Sequence, residues 1–504
     1  MNTWHVLVRI LSYLHSVPAL LKCACPSGTS SASFYRKLKL GHMSSAAAAS
    51  PPHVAFIAFP FASHPLTLFP IARAVAAAAP SAVVSFLATQ RALSSLPSGG
   101  GDTPNLRYVA VADGIPTDAA SPPPKDILHL IKLFLSSTPG NLKQGIAAAA
   151  EAAGGVPVSC ISSDAFMWMS SDVAEELAVP WIPLRTGSTP AFSAHLHTDL
   201  LRQKFGVEGA GGCEEELLAF IPGLEVQRVR DLPEGIVAGD IDSPFSVLSY
   251  RMAQKIPEAA AVGLNTFEGL NPAIEASLAS TFPRYLPIGP FHFLFPPSTV
   301  AADPNGCLPW LDRQAPASVV YVSFGSIFTP PPEELGELAE GLAASGAPFI
   351  WSLKEAAQQF LPAGFLARTA GQGMVVGWAP QREVLSHAAV GGFLTHSGWN
   401  SAIEGISAGV PMLCRPIFAD QFMNQRSMAL EWGNGTGFEG VAMSKEGVVR
   451  ALDSLLKGEE GEKLRARAKE LKEAAIAAVA PGGSSRENFD TLLRLMLTTQ
   501  KLNN

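Results

Sequence analysis

Two side chains in the first half of the sequence have the types needed for general-base catalysis. His64 follows the apolar run 53–59, and Asp164 follows an apolar run that ends near residue 162. Both runs predict buried parallel strands, and open sheets bind ligands at the carboxyl ends of such strands. Imidazole is well matched to removing a hydroxyl proton near neutral pH, and a carboxylate fixes its tautomer. The pair therefore indicates activation of a hydroxyl nucleophile; the alternative is a histidine that only packs in the core.

A second group of polar residues lies near residue 400. The apolar run 391–395 predicts a buried strand, and His396, Gly398, Asn400 and Ser401 follow it where a helix is expected to begin. The unpaired amides and the dipole of a helix N-terminus favour an anion, and glycine allows its close approach. The segment predicts a phosphate site in which His396 and Ser401 add side-chain donors.

Three further residues have the chemistry to bind sugar hydroxyls. Glu404 lies one helical turn beyond Asn400, and Asp420 and Gln421 follow the next predicted strand, residues 412–415. Carboxylate and amide groups give hydroxyls specific hydrogen bonds. Taken singly, each residue has a structural alternative: a packed histidine, a solvated glutamate or an ordinary strand–glycine–helix junction.

The elements that must position these residues alternate between strand and helix in two successive blocks. Such βαβ succession predicts a doubly wound parallel sheet in each block, hence an α/β protein with two Rossmann-like domains across a cleft. A proline-rich passage around residues 283–304 separates the blocks and is predicted to be the linker. The predicted boundaries are an extension at 1–50, a first domain at 51–285, a linker at 286–306, a second domain at 307–484, and a C-terminal helix at 485–504 that returns to the first domain.

Residues 378–421 resemble the signature box of the plant secondary-product UDP-glycosyltransferases. The stretch reads WAPQREVLSHAAVGGFLTHSGWNSAIEGISAGVPMLCRPIFADQ, and nearly every signature position is present. The resemblance implies the GT-B fold, with the UDP-sugar held mainly by the second domain. Carried over by position, it implies that Trp378 stacks on uracil, that Ala379 and Gln381 contact base and ribose, and that Glu404 binds the ribose hydroxyls. It further implies diphosphate contacts from His396, Asn400, Ser401 and Ser326, and sugar contacts from Trp399, Asp420 and Gln421.

The same resemblance, which extends from residue 52 to the C-terminus, implies the reaction. His64 matches the family's general base and Asp164 its orienting aspartate, in the contexts FPFASH and SDAF. The implied mechanism is one in-line displacement that converts an α-linked donor into a β-glycoside. A helix N-terminus offsets the charge of the leaving UDP, so no metal or other cofactor is expected.

Among these enzymes the sequence is most similar to flavonoid and anthocyanidin 3-O-glucosyltransferases. The supporting stretches are VRDLPEGIV at 229–237, PFIWSL at 348–353 and CRPIFADQ at 414–421. The resemblance therefore predicts UDP-glucose as donor and the 3-hydroxyl of a flavonoid as acceptor. Positions that match the acceptor or sugar pocket are Lys125, Phe166, Thr186, His195, Phe245 and Phe418. Lys125 and Pro233 replace glutamines of a flavonol-active pattern, and Arg185 replaces a tryptophan.

Composition restricts the other classes. The 504 residues carry a net charge of −7, which gives no basic field for nucleic acid. The six scattered cysteines suit a reducing compartment, and no run is apolar enough over 18 residues to span a membrane. We expect a cytoplasmic monomer whose partners are UDP-glucose and a small lipophilic acceptor.

Residues 1–42 differ from the rest of the chain because they are basic and contain no acidic residue. A signal peptide and a transit peptide are two interpretations. Translation from Met43, which begins MSSAAAAS, is the third interpretation and the one we favour.

Other functions remain as alternatives. A dehydrogenase would need a Gly-x-Gly-x-x-Gly turn after the first strand, where FPFAS stands instead. A non-catalytic nucleotide-sugar binder would keep Trp378 and Glu404 but would not need His64 and Asp164. Within the enzyme interpretation, the alternative acceptor is another small phenolic or a terpenoid.

Overall fold

A computed structural model describes residues 50–96, 103–115, 126–207, 211–296, 301–327, 329–438 and 442–498. Residues from Pro51 onward form one compact unit. The predicted extension up to residue 49, and Lys125 of the predicted acceptor pocket, lie outside the described residues.

The first half of this unit contains a seven-stranded parallel sheet in the order β3-β2-β1-β4-β5-β6-β7. Most of its strands are apolar on both faces because helices cover both sides, as parallel sheets require. Its strands are β1 (His53–Ile57), β2 (Val83–Ala88), β3 (Leu106–Ala110), β4 (Cys160–Asp164), β5 (Trp181–Arg185), β6 (Val262–Leu264) and β7 (Tyr285–Pro287).

The second half contains a six-stranded parallel sheet in the order β10-β9-β8-β11-β12-β13. Its strands are β8 (Val319–Ser323), β9 (Phe349–Ser352), β10 (Gly373–Val376), β11 (Val390–Thr395), β12 (Met412–Cys414) and β13 (Gly435–Gly437). Each sheet therefore follows the doubly wound order, and the predicted pair of Rossmann-like domains is confirmed.

Nineteen α-helices connect these strands within the described residues. They are α1 (His64–Ala78), α2 (Gln90–Ser94), α3 (Ile127–Ala152), α4 (Ser170–Glu176), α5 (Thr189–Leu196), α6 (Thr198–Phe205), α7 (Pro244–Lys255), α8 (Pro272–Thr281), α9 (Phe291–Leu294), α10 (Cys307–Leu311), α11 (Pro332–Ser345), α12 (Glu355–Gln358), α13 (Phe365–Arg368), α14 (Gln381–Leu385), α15 (Trp399–Ala408), α16 (Gln421–Leu430), α17 (Lys445–Lys457), α18 (Glu459–Val479) and α19 (Ser484–Leu497).

The strand order reverses direction at one place in each sheet. In the first sheet this switch point lies between β1 and β4, and in the second it lies between β8 and β11. Loops that leave the two central strands of such a sheet diverge to opposite faces, which opens a crevice at the strand ends. Both predicted groups of polar residues lie at these crevices.

The last helix, α19, packs against the first half of the chain although it follows the second sheet. Phe489, Leu492 and Met496 on one helical face are buried in the same apolar cluster as Val54 and Phe56 of β1. The apolar residues recur at the spacing of an amphipathic helix, which explains why this face is covered.

The predicted linker, residues 286–306, overlaps two elements of the first half. The strand β7 extends to Pro287, and α9 follows with Phe291 and Leu294 buried in the core of the first half. Apolar residues between the prolines supply the buried surface that holds this segment on the sheet.

Among the described residues, no helix combines the length and the apolar character that crossing a membrane requires.

Candidate active site

His64 and Asp164 lie side by side at the switch point of the first sheet. His64 begins α1 and Asp164 ends β4, and the imidazole Nδ1 lies 2.6 Å from a carboxylate oxygen of Asp164. A carboxylate only accepts, so Nδ1 carries the proton and Nε2 is left as the acceptor. The other carboxylate oxygen accepts from the Phe166 amide over 2.9 Å, which fixes the aspartate. The pair has the geometry of a base and its orienting group.

Aromatic rings and a hydroxyl enclose this imidazole. The Phe59 and Phe166 rings lie 5.1 and 5.5 Å from it, centroid to centroid, and Thr186 Oγ1 lies 3.4 Å from Nδ1. The side chain of His64 remains 17 % exposed while that of Asp164 is 2 % exposed. The imidazole is thus held by Asp164 and by these neighbours while part of its surface stays exposed, directly beside Ser63, which borders the cleft described below.

The N-terminus of α15 lies at the switch point of the second sheet. The helix follows β11, and its N-cap, Gly398, offers no side chain to the first amides. These amides have no capping side chain, and a phosphate at this N-terminus stays a prediction.

His396 packs between two glycines at this switch point. A Cβ atom added to Gly398 would lie 2.5 Å from the His396 Nε2 atom, and one added to Gly325 would lie 2.8 Å from it. Gly325 also has a φ of +75°, which other residues rarely adopt. Burial lowers the pKa of His396 to about 4, so the ring is neutral near pH 7 and can donate only one hydrogen bond.

A polar network lines the adjoining floor of the cleft. Gln381 Nε2 donates to Ser401 Oγ over 3.1 Å and to a Glu404 carboxylate oxygen over 2.7 Å. Tyr321 donates its hydroxyl to Gln381 Oε1 over 3.3 Å. Burial raises the pKa of Glu404, and the hydrogen bond from Gln381 opposes that rise. One glutamine therefore orients both residues that the sequence assigned to phosphate and ribose.

Three other predicted donor-site residues border the same cleft. Trp378 presents an indole that is 49 % exposed, although large aromatic rings are usually buried. Ala379 is buried beside it, and Ser326 is exposed at the end of β8, where its carbonyl accepts from Lys354 Nζ. An exposed flat ring in a cleft is suited to stacking on a planar base.

The two residues that close the signature segment differ in their surroundings. Gln421 is 3 % exposed, and its Oε1 accepts from the amides of Ile417 and Phe418 over 2.8 and 3.1 Å. Burial raises the pKa of Asp420, while nearby Arg185 opposes that rise. The side-chain oxygen of Gln421 is therefore engaged by hydrogen bonds within the loop, and its Nε2 atom is left as a donor for a ligand.

A cleft of about 760 Å³ brings these groups together, a size suited to small-molecule substrates. It is bordered by Ser63 beside the predicted base, by Phe418, and by these residues assigned to the donor: Ser326, Trp378, Ala379, Gln381, His396, Trp399, Asn400, Ser401, Glu404 and Gln421.

The predicted acceptor residues form a less uniform group. Phe166 and Thr186 touch the imidazole, and the rings of Phe245 and Phe418 lie 6.1 Å apart. His195 is 6 % exposed, and burial together with Arg185 lowers its pKa to about 3. It is therefore a neutral buried side chain.

Arg185 is a buried cation at the end of β5. It is 4 % exposed, its guanidinium lies 5.1 Å from the Phe166 ring centroid, and its Nε atom has no hydrogen-bond partner among the described residues. Burial lowers its pKa, while Asp420 and Asp164 oppose that shift. The Phe166 ring thus contacts both this charge and the imidazole of His64.

Sequence reasoning missed two residues that connect the halves. Asn400 Nδ2 donates to Ser63 Oγ over 2.9 Å, and the Trp399 indole donates to the carbonyl of Asn265 over 2.9 Å. Ser63 directly precedes the predicted base, so its polar side chain could have been identified from the sequence. Asn265 contributes only its backbone after a three-residue strand, so no side-chain signal marks it.

No group of three or more His, Cys, Asp or Glu side chains within the described ranges is arranged to hold a metal ion.

Two doubly wound sheets, with a hydrogen-bonded His64–Asp164 pair at one switch point and an uncapped helix N-terminus at the other, form the arrangement expected of a group-transfer enzyme with an anionic donor. The chain belongs to the UDP-glucoronosyl and UDP-glucosyl transferase family, whose model matches residues 81–465. It is a UDP-glycosyltransferase of the GT-B fold, as the signature segment predicted.

Similar proteins include plant flavonoid enzymes. A myricetin 3-O-rhamnosyltransferase from Crocosmia x crocosmiiflora is 49 % identical over 455 residues, or 90 % of this chain and 99 % of the relative. An anthocyanidin 3-O-glucosyltransferase from Zea mays is 48 % identical over 463 residues, or 88 % and 97 %. The crystal structure of a UDP-glucose: anthocyanidin 3-O-glucosyltransferase in complex with UDP aligns with a TM-score of 0.83 and 37 % identity, covering 88 % of this chain and 99 % of that one.

Proposed function

We propose that this enzyme transfers glucose from UDP-glucose to the 3-hydroxyl of a flavonoid or anthocyanidin with inversion at the anomeric carbon. The observation that carries the proposal is the 2.6 Å contact between His64 Nδ1 and Asp164, beside a cleft that also contains the N-terminus of α15. The similarity to anthocyanidin and flavonol 3-O-glycosyltransferases supports the class of acceptor.

In the proposed reaction His64 Nε2 removes the proton of the acceptor hydroxyl. The oxygen attacks the anomeric carbon as the bond from that carbon to the phosphate oxygen breaks, and UDP leaves from the opposite face. Asp164 stabilises the imidazolium that forms, since it lies 2.6 Å from Nδ1. An α-linked donor therefore gives a β-glycoside.

The leaving diphosphate is proposed to rest on the first turn of α15. Amides at this N-terminus, with His396, Asn400 and Ser401, would offset its charge without a metal ion. Trp378 would stack on uracil, and Glu404 would accept from the ribose hydroxyls. The fixed Gln381–Glu404 contact supports this role because it holds the carboxylate in place.

The identity of the sugar rests on Asp420 and Gln421. The backbone amides that engage Gln421 Oε1 fix the side chain so that its Nε2 would donate to a sugar hydroxyl. Relatives of nearly equal identity are a rhamnosyltransferase and a glucosyltransferase, so overall similarity does not select the sugar. Competition of UDP-glucose with UDP-galactose and with UDP-rhamnose identifies the donor, and a preference for either competitor would refute glucose.

The acceptor is proposed to lie between Phe166, Phe245 and Phe418, whose flat rings favour a planar polycyclic phenol. A second acceptor class, a smaller phenolic acid, is favoured by Arg185, whose buried Nε has no hydrogen-bond partner among the described residues and would donate to the acid's carboxylate.

A UDP-release assay separates these acceptors. With UDP-glucose as donor, quercetin and cyanidin are compared with hydroxybenzoates, hydroxycinnamates and terpenoid alcohols. We expect the flavonoids to have the highest kcat/KM. A hydroxycinnamate that exceeds both by tenfold, about 1.4 kcal/mol of transition-state preference, would overturn the flavonoid assignment in favour of the acid.

A further inference from the structure

The first turn of α15 is tied to the other half of the molecule at two consecutive residues. Trp399 donates to the Asn265 carbonyl and Asn400 to the Ser63 hydroxyl, each over 2.9 Å. The second contact joins the helix that is proposed to hold the diphosphate to the residue directly before the proposed base. This connection crosses the cleft where the reacting atoms would meet.

Ser63 occupies the N-cap of α1 but does not cap it. Its backbone lies at φ −89° and ψ 3°, outside the extended region, and its side chain accepts no hydrogen bond from the helix. N-cap serines normally accept from the second or third helical amide. Here Pro65 occupies the second helical position and has no amide hydrogen to donate. The third helical amide, that of Leu66, makes no bond to the Ser63 side chain either, so the hydroxyl is left for Asn400.

The loop before Ser63 is shaped for this contact at a cost. Ala62 has a φ of +53°, in the left-handed region, which is unfavourable for a residue with a Cβ atom. Such strain persists where surrounding structure enforces it, and it concentrates at functional sites. Ser397, on the loop before α15, has a φ of +66°. Both loops that approach each other across the cleft thus contain a left-handed residue that is not glycine.

The amide of Asn400 is able to serve two partners at once. Its Nδ2 has two hydrogens, of which Ser63 takes one. The other hydrogen, or the backbone amide of the helix, is left for an anion at the N-terminus. A hydrogen bond to Ser63 fixes the orientation of the side-chain amide and the distance between α15 and α1.

We infer that Ser63 is a positioning residue that acts through Asn400 to set the spacing between the leaving diphosphate and the base His64. The inference rests on the proposed role of His64. Transfer in line requires the attacking oxygen, the anomeric carbon and the leaving oxygen to be aligned, and a displacement of about 1 Å can cost a rate factor near 10². Ser63 contributes to that alignment without touching the reacting atoms.

A second hydrogen bond between the two halves provides a matched control. Gln227 Nε2 donates to Ser427 Oγ over 2.8 Å, and both residues are fully buried. Ser427 lies on α16 and does not border the cleft. Ser427→Ala thus removes a serine contact between the halves of similar length, but away from the base.

The experiment compares Ser63→Ala, Ser63→Thr and Ser427→Ala with UDP-glucose and the best flavonoid acceptor. We expect Ser63→Ala to lower kcat about tenfold, to change the Kd for UDP by less than about threefold, and to leave Tm no lower than that of Ser427→Ala. Ser63→Thr keeps the hydroxyl and should retain most of the rate, and Ser427→Ala should turn over normally.

Three results would overturn the inference. An equal loss in Ser427→Ala would assign the effect to general closure of the halves. A higher Kd for UDP with unchanged kcat would make Ser63 a donor contact. If Ser63→Ala had the wild-type kcat and the wild-type Kd for UDP, Ser63 would not be a positioning residue. Failure of the proposed function is distinguishable, since it requires that the wild-type enzyme release no UDP with any acceptor or that His64→Ala remain active.

Discussion

The two sheets have the same strand order but present different groups at their switch points. In the second half the crevice is formed by glycine loops, by free helix amides, and by His396, whose pKa burial lowers to about 4. In the first half it contains a hydrogen-bonded couple, His64 and Asp164, with the Asp164 side chain only 2 % exposed. Backbone groups suit a fixed charge such as a diphosphate, whereas a side-chain base suits a proton that must move.

In the proposed reaction the same topology, used twice, has a different role in each half. The second half offers dipoles that need not reorganise as charge develops on the leaving group. The first half offers an acceptor atom, His64 Nε2, whose partner Asp164 fixes the tautomer. We therefore expect substitutions at the His64–Asp164 pair to change the rate of transfer, and substitutions at the N-terminus of α15 to change the affinity for the donor.

The largest effect is expected from Asp164→Asn. An amide still contacts His64 Nδ1 but no longer stabilises the imidazolium, and it permits the wrong tautomer. We expect kcat to fall by at least about 10², within the range of general-base contributions, with the Kd for UDP little changed. A steady-state assay paired with UDP titration checks this. Near-normal turnover would contradict the role proposed for the first half, because Asp164 would then be only structural.

A smaller effect is expected from Gly398→Ala, which tests the second half. The added Cβ would lie 2.5 Å from His396 Nε2, so the imidazole must move away from the N-terminus of α15. We expect the Kd for UDP to rise about tenfold, the equivalent of one charge-assisted hydrogen bond. Gly371→Ala is the control, because nothing lies within 4 Å of a Cβ added there. Unaltered UDP binding in Gly398→Ala would contradict the assignment of this site.

The smallest effect concerns stability and the buried His195. The pKa of His195 is about 3 in the folded protein and 6.5 in the unfolded chain. Between these two values the unfolded chain binds a proton at this residue and the folded protein does not. Stability is therefore fully present above pH 6.5 and is lost as the pH falls towards 3, by about 1.4 kcal/mol at pH 5.5. The free energy of unfolding is measured by denaturant titration at pH 7.5 and 5.5. Between these two pH values it should fall by about 1.4 kcal/mol less in His195→Gln than in the wild type. The exposed His129, replaced identically, is the control, and equal slopes for both variants would contradict the burial argument.

Much of the donor half could be predicted because its residues are contiguous. Residues 378–421 supply a strand, a glycine turn, a helix N-terminus and the following strand, so local rules place Glu404 one turn after Asn400. In the first half, His64 and Asp164 are 100 residues apart, and only the parallel pairing of β1 with β4 brings them together. The sequence therefore supported the pair only through the expectation that both strands end at one sheet edge.

The remaining features depend on tertiary packing that no local pattern encodes. The proline-rich passage looked like a linker, yet Leu286 and Ile288 are 5 % and 0 % exposed and complete the first sheet. The cleft-spanning bond from Asn400 to Ser63 joins residues 337 positions apart. A serine before a predicted helix is read as a cap, and only the assembled halves give its hydroxyl another partner.

Base and donor site are proposed to be separate functions of the two halves, and paired measurements on one variant from each half separate them. UDP binding by calorimetry and single-turnover transfer are measured for His64→Ala and Glu404→Ala side by side. We expect His64→Ala to bind UDP within about twofold of the wild-type Kd while its transfer rate falls by about 10² to 10⁴, and we expect Glu404→Ala to weaken UDP binding instead. If His64→Ala lost UDP affinity as much as Glu404→Ala, or transferred glucose at the wild-type rate, the two halves would not have separate functions.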